Sequence, residues 1–321
     1  QGRREKQEDR HVKIPDFTKA AKALKMPIDH LDQPCAFFAV YDGHQGHLCA
    51  EYVAKNFHMR LLKRLSAERD PAHWRSEDSL RDVLRDACEE LDAEFLAKHR
   101  TQPDGCTAVV ALLIGRRLAL AWVGDSRGVL CREASQGGLV TVALTDDHRP
   151  GLKSEAERVR KAGGAVVNLD GGLRVAHEGF HERVREIRRA QAQGLGTIAR
   201  EPVALAVSRS FGDREFKAVT GKALLVATPS VRCVELNESC KFVALMCDGI
   251  SDVMKNEDVV FELSFQRDAQ DAASNARAAC GALVQEAYKR GSGDNLTVIY
   301  VQFDWATAGG AAKRPPTRQG T

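Results

Sequence analysis

Residues 35–41, CAFFAVY, are an unbroken apolar run that stops at Asp42-Gly43-His44. A run of this length closed by Asp-Gly predicts a strand followed by a turn. Residues 241–247, KFVALMC, stop the same way at Asp248-Gly249, with Asp252 just behind. Strand ends hold side chains rigidly, and carboxylates that converge there suit hard divalent cations. Asp42 can reach Asp248 only if the two strands meet, which places both in one domain. Glu8-Asp9, Asp125 and Asp294-Asn295 extend the acidic set. Gathered together, these groups repel one another unless metal ions or protons neutralise them. The pattern points to metal-dependent hydrolysis of a phosphate ester.

Outward from the first run, residues 46–65 carry Ala50, Val53, Phe57 and Leu61 at helical spacing. Residues 79–98 repeat the pattern with Leu80, Leu84, Ala87, Leu91 and Phe95, and Pro71 separates the two helices. The period then shortens. Runs 106–114, 117–123, 127–132 and 139–144 are parted by glycines and predict one antiparallel meander. Residues 154–162 are helical and stop at Gly163-Gly164. Segment 165–203 holds a charged helix over about 177–193, with Phe180, Val184 and Ile187 on one face and Gly194 and Gly196 at its end. Strands are expected over 231–236 and 296–303, and a long Ala-rich helix over 269–288. The simplest assembly is an α+β fold, a four-layer α-β-β-α sandwich of two antiparallel sheets flanked by helices. It is read as one domain, residues 1–303, followed by a Gly-, Lys- and Pro-rich tail, 304–321, expected to be disordered.

Composition excludes several classes of function. The chain has 321 residues, 43% hydrophobic and 28% charged, ordinary values for a globular domain with a sizeable core. Its 47 basic and 44 acidic residues leave a net charge of only +3, which argues against nucleic acid as a main partner. The nine cysteines are scattered singly, with no C-x-x-C pair, and read as reduced thiols of an intracellular, cytoplasmic or nuclear protein. No stretch approaches a membrane span. The first residue is Gln1, and a leader or lipid anchor outside the chain would leave no trace in it.

Nine motifs then fall in one order: residues 2–9 (GRREKQED), 41–46 (YDGHQG), 104–107 (DGCT), 123–127 (VGDSR), 146–150 (DDHRP), 157–164 (ERVRKAGG), 206–213 (AVSRSFGD), 247–252 (CDGISD) and 293–297 (GDNLT). Any one of them alone is a turn or a charged surface stretch. Together they resemble the metal-dependent Ser/Thr protein phosphatases of the PP2C (PPM) family, whose fold has the layering deduced above. The resemblance implies two Mn2+ or Mg2+ ions bridged by a water that attacks phosphoserine or phosphothreonine directly. It makes Asp42 the carboxylate common to both ions. Asp248 and Asp294 would complete one ion, Glu8 and the Gly43 carbonyl the other, and Asp9 would hold a water. Asp125 and Asp252 match a weaker third site. Arg4 resembles the phosphate-binding arginine and His44 the general acid. An all-oxygen ligand set favours Mg2+ or Mn2+ over zinc. The expected partners are phosphoproteins, bound by a monomer.

Three positions depart from the family pattern. Gln45 stands where a second glycine is usual, Ser251 replaces the Trp of the DGxWD motif, and the flap, about 165–203, is expanded by the charged helix. Arg183, Arg185, Arg188 and Arg189 on that helix could steer an acidic substrate. Two other functions stay open at this level: a non-catalytic binding module on the same fold, or a phosphatase of non-protein esters. None of the nine cysteines has the Arg six residues on that a cysteine phosphatase needs.

Overall fold

The computed structural model describes residues 1–193, 201–217, 222–265 and 272–305. The run that opens the reading is β2 (Cys35–His44), which extends through the Asp-Gly-His motif rather than stopping before it. Every residue from Cys35 to Tyr41 is buried, because the strand is covered on both faces. Side chains of a strand alternate between faces. Phe37, Ala39 and Tyr41 point to a helix layer, where they meet Phe17, Phe57, Leu61, Leu84 and Phe95. Ala36, Phe38 and Val40 point the other way, onto Leu120, Leu130, Val243 and Leu245 of the space between two sheets. By the same parity Asp42 falls on the inter-sheet side, at the open end of that space.

One sheet has the order β1 (Arg10–Ile14), β2, β3 (Gly105–Ile114), β4 (Arg117–Val123), β10 (Ser230–Glu235), with the short β9 (Phe211–Gly212) on β3. The other runs β12 (Val298–Gln302), β11 (Cys240–Met246), β5 (Arg127–Glu133), β6 (Leu139–Ala143). All these pairs are antiparallel. Helices α1 (Phe17–Ala23), α2 (Leu48–Ala67) and α3 (Glu77–Lys98) cover the first sheet; α7 (Asp248–Ser251), α8 (Asn256–Phe265) and α9 (Ala272–Lys289) cover the second. The four-layer sandwich stands, and no helix among the described residues is long and apolar enough to cross a membrane.

The single meander does not stand. β3 and β4 belong to one sheet, β5 and β6 to the other. The chain changes sheets at Gly124-Asp125-Ser126, where Gly124 has φ +90° and Ser126 shares a 2.7 Å hydroxyl bond with Thr107 of β3. Likewise β2 and β11 meet face to face across the sandwich and are not paired. Segment 165–203 begins with a hairpin, β7 (Gly164–Leu169) and β8 (Gly172–His177), before its helix α5 (Phe180–Ala192), and a one-turn α6 (Arg214–Lys217) follows β9. Phe180 and Val184 pack on Val167 and Ala176 of that hairpin, while Ile187 is only half-buried. Gly194 and Gly196, the start of the helix expected from residue 269, and the tail from residue 306 lie outside the described residues.

Between β6 and β7, helix α4 (Lys153–Lys161) carries a buried ion network that joins it to the segment leading into β9. The Glu155 carboxylate accepts from Arg209 Nη2 at 2.6 Å, Ser208 Oγ at 2.7 Å and Arg158 Nη2 at 3.1 Å. Burial alone would raise its pKa, but Arg209 and Ser208 outweigh burial and hold it at about 2. A depressed folded pKa stabilises above the unfolded value near 4.5, and that stability is lost as pH falls through the folded value. Removing one member of a buried ion group leaves its partners uncompensated, so Glu155→Gln is expected to cost about 3 kcal/mol at pH 7. The deficit should shrink between pH 5 and pH 3. Urea melts that show the same small difference at every pH would refute this.

Candidate functional site

Nine of the ten residues singled out from the sequence line one cleft of about 620 Å3: Arg4, Glu8, Asp42, Gly43, His44, Asp125, Asp248, Asp252 and Asp294. The tenth, Asp9, lies buried beneath them. They arrive from several separate parts of the chain. Asp42, Gly43 and His44 end β2, Asp125 sits in the sheet-changing turn, and Asp248 and Asp252 bracket the one-turn α7 after β11. Glu8 and Asp294 come from opposite ends of the chain and are clamped by Asn295. Its Oδ1 accepts the Glu8 N–H at 2.8 Å, and its Nδ2 donates to the Lys6 and Gln1 carbonyls.

Gly43 needs to be glycine because a side chain there would lie 2.6 Å from the Glu8 carbonyl oxygen. Its backbone stays in the ladder with Cys106, and pairing continues to His44 opposite Gly105. The departure at Gln45 is therefore absorbed one residue later, where Gln45 adopts φ +58°, a left-handed conformation that costs about 1–2 kcal/mol in a non-glycine residue. Ser251 is buried in α7, its hydroxyl unpartnered among the described residues.

The carboxylates perturb one another as crowded acids must. Burial, then the charges of Asp248, Asp9 and Asp125, raise the Asp42 pKa well above the usual range. Burial and the charges of Asp125 and Asp252 push Asp248 up to about 7. A hydrogen bond between the two raises Asp42 further and opposes the rise of Asp248. Asp9 is raised by burial; its Oδ2 accepts from Thr297 Oγ1 at 2.6 Å, but its buried Oδ1 has no partner among the described residues. Among the described residues no three side chains form a ready-made metal cage. An unpartnered buried carboxylate oxygen beside a hydrogen-bonded acid pair, in a cleft crowded with carboxylates, nevertheless fits hard cations that keep much of their water.

Arg4 Nη2 donates to Asp294 Oδ2 at 2.6 Å from an exposed position. His44 Nε2 faces both oxygens of Asp213, at 2.9 and 2.8 Å. Burial lowers the imidazole pKa, but the Asp213 charge and hydrogen bond outweigh it and the net shift is upward. Asp213, fully enclosed and also bonded to Ser210 Oγ, is a partner that was not singled out from the sequence. The available signal was the presence of both DGCT and SFGD among the nine motifs: a side chain at Gly105 would collide with both Asp213 and His44. Asp104 is structural, accepting the Leu48 N–H at the start of α2. Arg158 pairs with Glu155.

Comparison with known proteins identifies the family. The sequence profile of the family Protein phosphatase 2C matches residues 1–296. The chain belongs to the protein phosphatase 2C family. It is 33% identical over 275 residues to "Probable protein phosphatase 2C 59" of Arabidopsis thaliana, covering 85% of this chain and 71% of that protein. It is 31% identical over 323 residues to the Homo sapiens "Integrin-linked kinase-associated serine/threonine phosphatase 2C", covering 94% and 70%. Among solved structures, the serine-threonine phosphatase 2C from Toxoplasma gondii superposes with a TM-score of 0.74 at 25% identity, over 94% of this chain and 92% of that one. Family membership makes the chain a hydrolase of the serine/threonine phosphatase kind.

The flap helix α5 carries less free charge than its arginines suggest. Arg185 pairs with Glu182 and Arg188 with Glu201, which weakens the case for steering. Arg174 of β8 was not singled out from the sequence, yet it lines the cleft.

Proposed function

We propose that this phosphatase 2C protein hydrolyses phosphoserine and phosphothreonine in proteins with the help of two Mn2+ or Mg2+ ions, as a single domain spanning residues 1–303 that acts as a monomer. The observation that carries the reading is the convergence of Glu8, Asp42, Asp248 and Asp294 with Arg4 and His44 on one cleft. Asp42 would serve both ions, Asp248 and Asp294 one, and Glu8 with the Gly43 carbonyl the other. When bound, the ions supply Lewis acidity toward water and the phosphoryl oxygens.

The chain's own residues do the rest. Asp9, fixed by Thr297, offers its free oxygen to a water of the centre. The Arg4 fork exchanges Asp294 for two phosphate oxygens of the substrate and orients the phosphorus. His44, its pKa raised by Asp213, gives its proton to the departing Ser or Thr oxygen. All nine cysteines are free thiols, which supports a reducing, intracellular setting.

Protein stripped with chelator is expected to lose all activity on a phosphothreonine peptide and to regain it with Mn2+ or Mg2+. Zinc should restore little, because it favours fewer ligands with N or S donors. Full turnover by the stripped protein would sink the proposal.

A further inference from the structure

Asp125 and Asp252, the pair that the resemblance assigns to a third ion, are spanned by a single guanidinium. Arg149 Nε donates to Asp125 Oδ2 at 2.9 Å, and its Nη2 donates to Asp252 Oδ1 at 2.6 Å. Asp147 stands 3.6 Å from the same Nε, but its carboxylate is already held by Arg127 through two bonds, at 2.8 and 2.7 Å. Arg149 is thus left to the other two acids.

The loop that carries Arg149 is fixed. The His148 N–H donates to the Gly124 carbonyl at 2.9 Å, and the His148 ring stacks on Trp122 with centroids 5.8 Å apart. The arginine therefore stands on a braced platform beside the sheet-changing turn that bears Asp125. Asp125 is only 2% exposed, so its charge needs a permanent partner.

We propose that Arg149 is the built-in cation of the Asp125–Asp252 pair: it offsets the charge of these acids itself and keeps a third metal ion out while it stays. The inference rests on the two-ion reading above. A guanidinium does not lose its proton in proteins, so it balances one of the pair's two negative charges without metal, independently of its own titration. A dication entering the pair must first break two charge-assisted bonds and expel a like charge. The Arg149 side chain is 35% exposed, so it has a way out toward solvent. The charge of this corner of the cleft is then set by the chain and not by the metal supply.

The test is direct Mn2+ binding to chelator-stripped protein, measured by titration calorimetry without substrate. Asp252→Asn alone is expected to leave the isotherm unchanged, because Arg149 already occupies the pair. Arg149→Gln should add a site, or tighten the weakest one by about tenfold or more, the worth of one charge-assisted bond. Adding Asp252→Asn to Arg149→Gln should abolish that gain. The proposal is overturned if Asp252→Asn alone removes or weakens a site, or if Arg149→Gln binds Mn2+ as the unaltered protein does. Should Arg149→Gln fail to fold, the Asp252→Asn isotherm decides by itself. Failure of the two-ion reading shows elsewhere, as tight binding that survives Asp42→Asn.

Discussion

Asp42→Asn is expected to reduce turnover by on the order of 10³-fold or more while the protein stays folded, since electrostatic groups aimed at the reacting centre carry effects of at least that scale. The side chain ends β2 at the cleft and takes no part in the apolar layers, so the amide fits in its place. A second consequence is less intuitive. In metal-free protein the Asp42 pKa is raised and Asp248 sits near 7, so the folded state holds more protons than the unfolded chain. An acid raised on folding destabilises progressively as pH rises from its unfolded value near 3.8 through its folded value. Chelated protein should therefore melt at lower temperature at pH 7.5 than at pH 5. Asp42→Asn should flatten that dependence and be at least as stable as the parent at pH 7.5. Melts in chelator that rise with pH over this window, or a purified variant with near-normal kcat, would show that Asp42 is not at the centre of the charge cluster.

His44→Ala is expected to lower kcat for phosphothreonine by ~10²–10⁴-fold, the usual worth of a general acid. For an aryl phosphate the loss should be small, because a phenolate leaves without a proton. Asp213→Asn separates holding the ring from donating the proton. Asp213 is the main group opposing burial in raising the His44 pKa, so its neutralisation should move the basic limb of the pH–rate profile to lower pH. Equal losses on both substrates, with an unmoved profile in Asp213→Asn, would make the pair structural.

The layers were legible in the sequence because their strands are covered on both sides and so read as unbroken apolar runs, as Cys35–Tyr41 does. The carboxylates were legible because they stand where such runs end. Short or half-buried elements left no comparable pattern. β1 alternates between half-buried and exposed positions and merges into the charged N-terminal segment. The β7–β8 hairpin is mostly half-buried, and its two strands are parted by only two residues, Asp170 and Gly171. The split of the expected meander between two sheets could not be read from spacing, since a turn that changes sheets and a turn that closes a hairpin both ask for glycine. Partners were harder still. Asp42, Asp248 and Asp294 carry their own motifs, but Asp213, Arg149 and Glu155 acquire meaning only from groups brought beside them by folding, 169 residues away for the bond from His44 to Asp213.

Asn295 ties the Glu8 amide to the far end of the chain across 287 positions. A ribosome making this protein therefore displays the first acidic motif long before its counterpart exists. Contacts of such sequence separation form late and slowly, because a very long loop must close before they reward the chain. Until Asp248 emerges, Asp42 lacks the neighbour that crowds it most, and until Asn295 follows, Glu8 has no clamp. The unfinished chain is thus spared the mutual repulsion of the completed cleft during its synthesis. The growing polypeptide also has no assembled cleft with which to dephosphorylate anything around it, so catalytic competence would arrive only after Asn295 has left the ribosome.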